Sequence, residues 1–150
     1  MNKKNLNILP LEFETKIESK HLSVENFLNE VRKLIVETIC QNSSKKLQQM
    51  TLKHLEASGK MLRPLMIRDL ALCFNLKLEY VLPWATSCEL LHNATLIHDD
   101  IQDGDDTRRG LPAIWKEFGV HQASNVGDFL LTLAPQPISR RSGDYNNDLL

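Results

Sequence analysis

Residues 90 to 110 read Leu90-Leu91-His92-Asn93-Ala94-Thr95-Leu96-Ile97-His98-Asp99-Asp100-Ile101-Gln102-Asp103-Gly104-Asp105-Asp106-Thr107-Arg108-Arg109-Gly110, an apolar run that passes directly into an acidic cluster closed by two arginines. The run belongs to a helix predicted from about Pro83 to Asp103. At ~100° per residue, His92, Thr95, Asp99 and Asp103 fall within a sector of roughly 80°, with Cys88 beside them and Asp100 at its edge. Asp99 and Asp103 therefore stack one turn apart and can offer oxygens to the same small space. On a helix packed inside a protein, such carboxylates need a cation or a proton. Mg²⁺ is the cation whose habits fit, since it takes one or two carboxylates and completes its shell with water and phosphate oxygens. The forked guanidinium groups of Arg108 and Arg109 suit those phosphates. A solvated helix end is the plainer reading of an acidic run. Neither the apolar approach nor the paired arginines are needed for it.

Upstream lies Ser58-Gly59-Lys60-Met61-Leu62-Arg63-Pro64, followed by the apolar-periodic Leu65, Met66, Leu70, Cys73 and Phe74. Pro64 is placed where a helix can begin, because the first turn tolerates its missing N–H. Gly59 lets the backbone approach an anion, and Lys60 and Arg63 stand at the positive end of that helix. Alone this is an ordinary turn before a helix. Beside the aspartates it reads as a second phosphate pocket.

The remaining elements are also helical. Val24, Phe27, Leu28, Val31, Leu34, Ile35 and Ile39 recur at helical spacing behind Ser23, a good N-cap, and Asn42-Ser43-Ser44 ends that element. Further helices are predicted over 45–56, 64–74, 114–118 and 120–133, with 105–113 a loop. Strand-like alternation is missing, so the fold class is all-α.

Taken together, these residues resemble the trans-isoprenyl diphosphate synthases, the polyprenyl synthetase family. The resemblance rests on Gly59-Lys60-x-x-Arg63-Pro64, His92, a DDxxD motif at Asp99 to Asp103, Arg108-Arg109-Gly110, Pro112-Ala113-Ile114-Trp115 and Gly127-Asp128-Phe129-Leu130-Leu131. It covers roughly residues 50 to 134. It implies the N-terminal portion of an isoprenoid-synthase helical bundle and a prenyltransferase that condenses isopentenyl diphosphate with an allylic prenyl diphosphate. Asp99, Asp100 and Asp103 would form the catalytic motif, with Asp99 and Asp103 as Mg²⁺ ligands. Gly59, Lys60, Arg63, His92 and Arg109 would hold isopentenyl diphosphate, and Arg108 would contact the allylic group. Ala94 and Thr95, both small, would set product length and favour products longer than farnesyl diphosphate.

Two departures from the family pattern bear on activity. The family's second aspartate-rich motif does not occur in these 150 residues, and Ala134-Pro135-Gln136-Pro137 opens a Ser/Gly/Asn-rich ending that reads as loop. Ser58 and Met61 also stand where the family has glycine and a basic residue. The chain is therefore divided into a polar segment 1–22, a partial synthetase domain 23–134 and an irregular tail 135–150, as a truncated or frame-shifted gene would give. Impaired activity is one expectation. A diphosphate-binding fragment without turnover, or a non-catalytic subunit of a heteromeric synthase, is the alternative.

With 42% hydrophobic residues and 25% charged, the composition is that of an ordinary globular protein, and a net charge of −1 argues against nucleic acid or anionic membranes as partners. No stretch is long enough to span a bilayer. Cys40, Cys73 and Cys88 sit in apolar-periodic segments and read as buried thiols of a cytoplasmic protein. Half a helical bundle leaves apolar faces open, which predicts homo- or hetero-oligomers. His98 reads as a packing or hydrogen-bonding residue, Trp84 and Trp115 as packing aromatics, and His54 as uninvolved. Asp128 reads as supporting or structural.

Overall fold

A computed structural model describes residues 23–57 and 59–142. The expected polar segment 1–22, Ser58 and the last part of the expected tail lie outside them.

Helix α1 spans Val24–Asn42, and the Ser23 hydroxyl accepts from the Asn26 N–H at 3.1 Å, a side-chain cap on an otherwise unbonded donor. Its buried residues Phe27, Leu28, Val31, Ile35 and Ile39 recur every three or four positions and form one wall of the core. Helix α2 (Lys45–Glu56) follows, burying Met50, Thr51 and His54. Helix α3 (Leu62–Cys73) begins two residues before Pro64, whose missing N–H falls among the four donors that a helix start leaves unbonded.

The spine is α4, Leu78–Asp103, 26 residues against which α1, α3, α5, α6 and α7 all pack. It starts five residues earlier than the sequence predicts. Leu78, Val81 and Leu82 pack on the core, and that burial draws the helix back past Pro83. At its far end Gly104 takes the left-handed conformation, φ 72°, and closes the helix in the way glycine permits.

The expected loop 105–113 contains a two-residue hairpin instead. Strands β1 (Thr107–Arg108) and β2 (Leu111–Pro112) pair antiparallel, Thr107 with Pro112 and Arg108 with Leu111. Arg109 and Gly110 make the turn with φ of 53° and 83°. Two positive values are what the tightest hairpin turns demand, and the pair is too short to show alternation in sequence. Helices α5 (Ile114–Phe118) and α6 (Val120–Leu133) match the reading from sequence.

The beginning of the expected irregular tail is helical. Helix α7 (Gln136–Ser142) packs on α1 and α4, with Pro137 buried and Arg140 donating to the Gln41 side chain at 2.6 Å. Pro135 and Pro137 lie before the helix and in its first turn, where a lost N–H breaks no bond, so two prolines read as stops open a helix here.

Three other expectations are corrected. Cys40 and Cys73 are exposed and Cys88 is half-buried, all three free, because only one side of each helix meets the core. Trp84 stands out in solvent while Trp115 is half-buried, its indole N–H donating to the Asp105 carbonyl at 2.8 Å. On α3, Pro64 and Ala71 face inward, and Leu62, Met66, Leu70 and Phe74 form an exposed row along the outer side, up to 74% accessible at Phe74. Among the described residues no helix is long and apolar enough to cross a membrane.

Candidate functional site

The acidic motif divides by face. Asp99 and Asp103 are exposed and take part in no ion pair among the described residues. Asp100, between them, is 2% accessible. The sequence reading places Asp99 and Asp103 facing inward and Asp100 at the edge. The structure reverses this, because α4 turns the Asp100 side towards the hairpin, and among the described residues no helix covers the Asp99 side.

Arg108 meets the buried carboxylate. Its Nε lies 2.9 and 2.8 Å from the two Asp100 oxygens, and one terminal nitrogen donates as well, a forked grip that only guanidinium can make. The Asp100 hydrogen bonds hold the Arg108 charge above its ordinary range. Arg108, expected at the allylic group, is thus largely committed to the fold.

Arg109, next in the turn, reaches towards the α2–α3 connection. Its guanidinium lies over Gly59, so close that a Cβ there would sit 1.7 Å from Nη1. Gly59 therefore creates the space that Arg109 occupies. The two arginines, with Gly59 and Ala57 from the α2–α3 connection, His54 from α2, and Glu89, His92, Asn93 and Leu96 from α4, line a shallow pocket. Of the residues picked from sequence, the structure gathers Gly59, His92, Arg108 and Arg109 here. Lys60 and Arg63 are exposed nearby, and Arg63 is near enough to bear on the charge of His92 and Glu89.

The pocket's electrostatics come from its guanidinium groups. Burial, followed by the fields of Arg63, Arg109 and Arg108, pushes the His92 imidazole down, so it is neutral near pH 7. His54 is pushed to about 4 from 6.5, mainly by burial. A base depressed in the folded state contributes stability that is intact above the unfolded value and is lost as pH falls through the folded one. Between pH 7 and 4, urea titrations should show wild type losing roughly 3 kcal/mol more than His54→Asn, at about 1.4 kcal/mol for each tenfold difference in proton affinity between the folded and unfolded chain.

Glu89, Asn93 and His54 carry no functional reading in sequence. Asn93 donates to Glu89 Oε1 at 3.3 Å and to the Glu89 carbonyl at 2.8 Å, and it also hydrogen-bonds His54. The available signal is a Glu and an Asn four apart inside an apolar helix. On the other face, Ala94 is fully buried in the core, so of the two chain-length candidates only Thr95 shares the exposed face of Asp99 and Asp103. His98 Nε2 lies 3.3 Å from Asp128 and packs on Gly127, where a Cβ would come within 2.5 Å of it.

A profile of the Polyprenyl synthetase family matches residues 44–149. The chain belongs to the polyprenyl synthetase family. The match extends beyond residue 134, where the sequence reading ends the family domain. This polyprenyl synthetase chain is 38% identical over 125 residues to a farnesyl diphosphate synthase of Geobacillus stearothermophilus, covering 79% of the chain and 42% of that relative. It is 44% identical over 86 residues to a geranylgeranyl diphosphate synthase of Methanosarcina mazei, covering 57% of the chain and 26% of the relative. Its fold matches a polyprenyl synthase from Caulobacter crescentus, solved with calcium and isoprenyl diphosphate, at a TM-score of 0.72 and 32% identity, over 79% of this chain and 36% of that one. The chain spans less than half the length of each.

In this chain, Gly59→Ala tests the Arg109 seat. The obstructed atoms are the far end of a flexible side chain, so thermal unfolding should be unchanged while Arg109 is displaced. If the pocket takes a diphosphate, affinity for inorganic pyrophosphate by calorimetry should fall about tenfold, the worth of one charge-assisted hydrogen bond.

Proposed function

We propose that this synthetase chain carries a prenyltransferase site that condenses isopentenyl diphosphate with an allylic prenyl diphosphate, with Mg²⁺ held at Asp99 and Asp103. The observation that carries the reading is the division of labour across α4. An arginine-lined pocket with two neutral imidazoles lies on one side, and two uncommitted carboxylates one turn apart lie beside it.

The donor set fits the ion. Among the described residues no group of three or more His, Cys, Asp or Glu could enclose a metal, so a soft or fully caged ion is not matched. Two hard oxygen donors on one helix face, completed by water and phosphate, are what Mg²⁺ accepts. When bound, it supplies neutralisation of the diphosphate that leaves the allylic carbon. The pocket residues present act by position, and without the second aspartate-rich motif among them the activity is impaired. Arg109, backed by Arg63 and Lys60, holds the diphosphate of isopentenyl diphosphate, and neutral His92 donates to it without changing charge. Arg108 fixes the hairpin and so aims Arg109. Ionisation of the allylic C–O bond, attack by the isopentenyl double bond and loss of a proton require no protein nucleophile, only fixed positive charge around the departing group.

The prenyl tail has a path. Thr95, Leu91 and Trp84 follow Asp99 back along the exposed side of α4, a strip that changes from acidic to apolar. Small Thr95 leaves that strip open, which favours products longer than farnesyl diphosphate. The exposed row on α3 offers a surface for association with a second copy or another subunit. The three free thiols suit a reducing compartment, the cytoplasm.

Incubating the chain with isopentenyl diphosphate and dimethylallyl, geranyl or farnesyl diphosphate, with and without Mg²⁺, tests the reading. Mg²⁺-dependent formation of longer prenyl diphosphates is the expected result. Mg²⁺-dependent binding without turnover would restrict the chain to diphosphate recognition, and no binding would refute the proposal.

A further inference from the structure

Glu89 is 5% accessible and forms part of the pocket wall, yet its two oxygens differ. Oε1 receives the Asn93 amide, and Oε2 is fully buried with no hydrogen-bond partner among the described residues. A buried oxygen without a donor is costly, and native proteins keep such atoms rarely. We propose that Glu89 is the proton-carrying floor of this pocket: docking of a diphosphate draws a proton onto the carboxyl group, and rotation of the side chain brings its O–H to a ligand oxygen. The inference rests on the diphosphate reading of the pocket and adds to it a proton taken up on binding.

The charges around Glu89 give the coupling its sign. Burial raises its affinity for a proton, and the Asn93 hydrogen bond, Arg63 of α3 and Arg109 of the hairpin oppose that rise. An arriving diphosphate absorbs the positive field of Arg63 and Arg109 and adds negative charge of its own. Both changes remove what favoured the ionised carboxylate, so the neutral acid gains. His54 from α2 and His92 from α4 line the same pocket, but burial holds both in the neutral form. Arg108 is occupied by Asp100. A carboxyl group beneath a phosphate site is repulsive when charged and a donor when protonated, and its unpartnered oxygen is where a donor is lacking.

Calorimetric titration of isopentenyl diphosphate with Mg²⁺ at pH 8.5, in buffers of different ionisation enthalpy, counts protons when the free ligand carries none. Wild type should take up a substantial fraction of one proton, and its affinity should weaken with rising pH, approaching about tenfold per pH unit where Glu89 is ionised in the free protein and protonated in the complex. Glu89→Gln, whose amide donates without titrating, should take up none and bind within about threefold of wild type at pH 6.5, with a flat pH profile. Glu89→Met should lose more than about tenfold there, having no donor. Equal proton counts and pH profiles for wild type and Glu89→Gln would overturn the inference, as would a Glu89→Gln loss equal to that of Glu89→Met, which would mean that the carboxylate charge is needed to place the arginines. Zero uptake by wild type overturns it without any variant. Failure of wild type to bind at all would refute the diphosphate reading itself, a different outcome.

Discussion

Arg108→Ala should cost about 3–5 kcal/mol of folding stability, the range found when one member of a buried ion pair is removed. The loss is large because of what remains. Asp100 is almost completely enclosed, and Arg108 supplies donors to both its oxygens. Without them the carboxylate must stay charged in a dry place, take up a proton, or break the α4 end open to reach water. Asp100→Ala should cost less, since the surviving guanidinium is partly exposed and can turn outward. A double-mutant cycle by urea titration, followed by circular dichroism, gives the coupling. Values near zero for the pair would mean that the hairpin is not held to α4 by this contact.

Asp99→Ala and Asp103→Ala should show the opposite pattern. Both side chains are exposed and without an ion-pair partner among the described residues, so melting temperature should not change. On the proposed reading, Mg²⁺-dependent condensation should fall by about 10²–10³ for each, because a metal ligand supports several kcal/mol of charge stabilisation at about 1.4 kcal/mol per tenfold. The double variant should lose little more than the worse single one if, as proposed, the two carboxylates act on one ion. Steady-state rates with and without added Mg²⁺, beside a melting curve for each variant, decide the matter. Loss of stability in place of loss of rate would assign these residues to the fold.

Neighbours in the Asp99-Asp100 pair are thus predicted to fail in different assays, and this marks where sequence is legible. Periodicity identifies the helices because each buries one stripe, as Phe27, Val31, Ile35 and Ile39 do on α1. The glycine, arginines and histidine of the pocket stand out as motif residues, since chemistry there needs particular side chains at fixed spacing. The facing of the aspartates is not legible. A helical wheel gives relative angles, and which sector points inward depends on what packs against the helix, here the hairpin at Arg108. Prolines at 135 and 137 mislead for a related reason: the same missing N–H ends one helix and suits the first turn of the next. Glu89 goes unread because a lone acid in an apolar run has no meaning until its surroundings are known.

The outward row on α3, Leu62, Met66, Leu70 and Phe74, has a practical outcome at the bench. An environment-sensitive fluorophore such as anilinonaphthalene sulfonate partitions onto apolar ridges of this kind while the polypeptide is still native, so its emission starts bright and has little room to rise on heating. Dye-reported melts of this chain should therefore understate its cooperativity. Ellipticity at helical wavelengths follows the transition without that background.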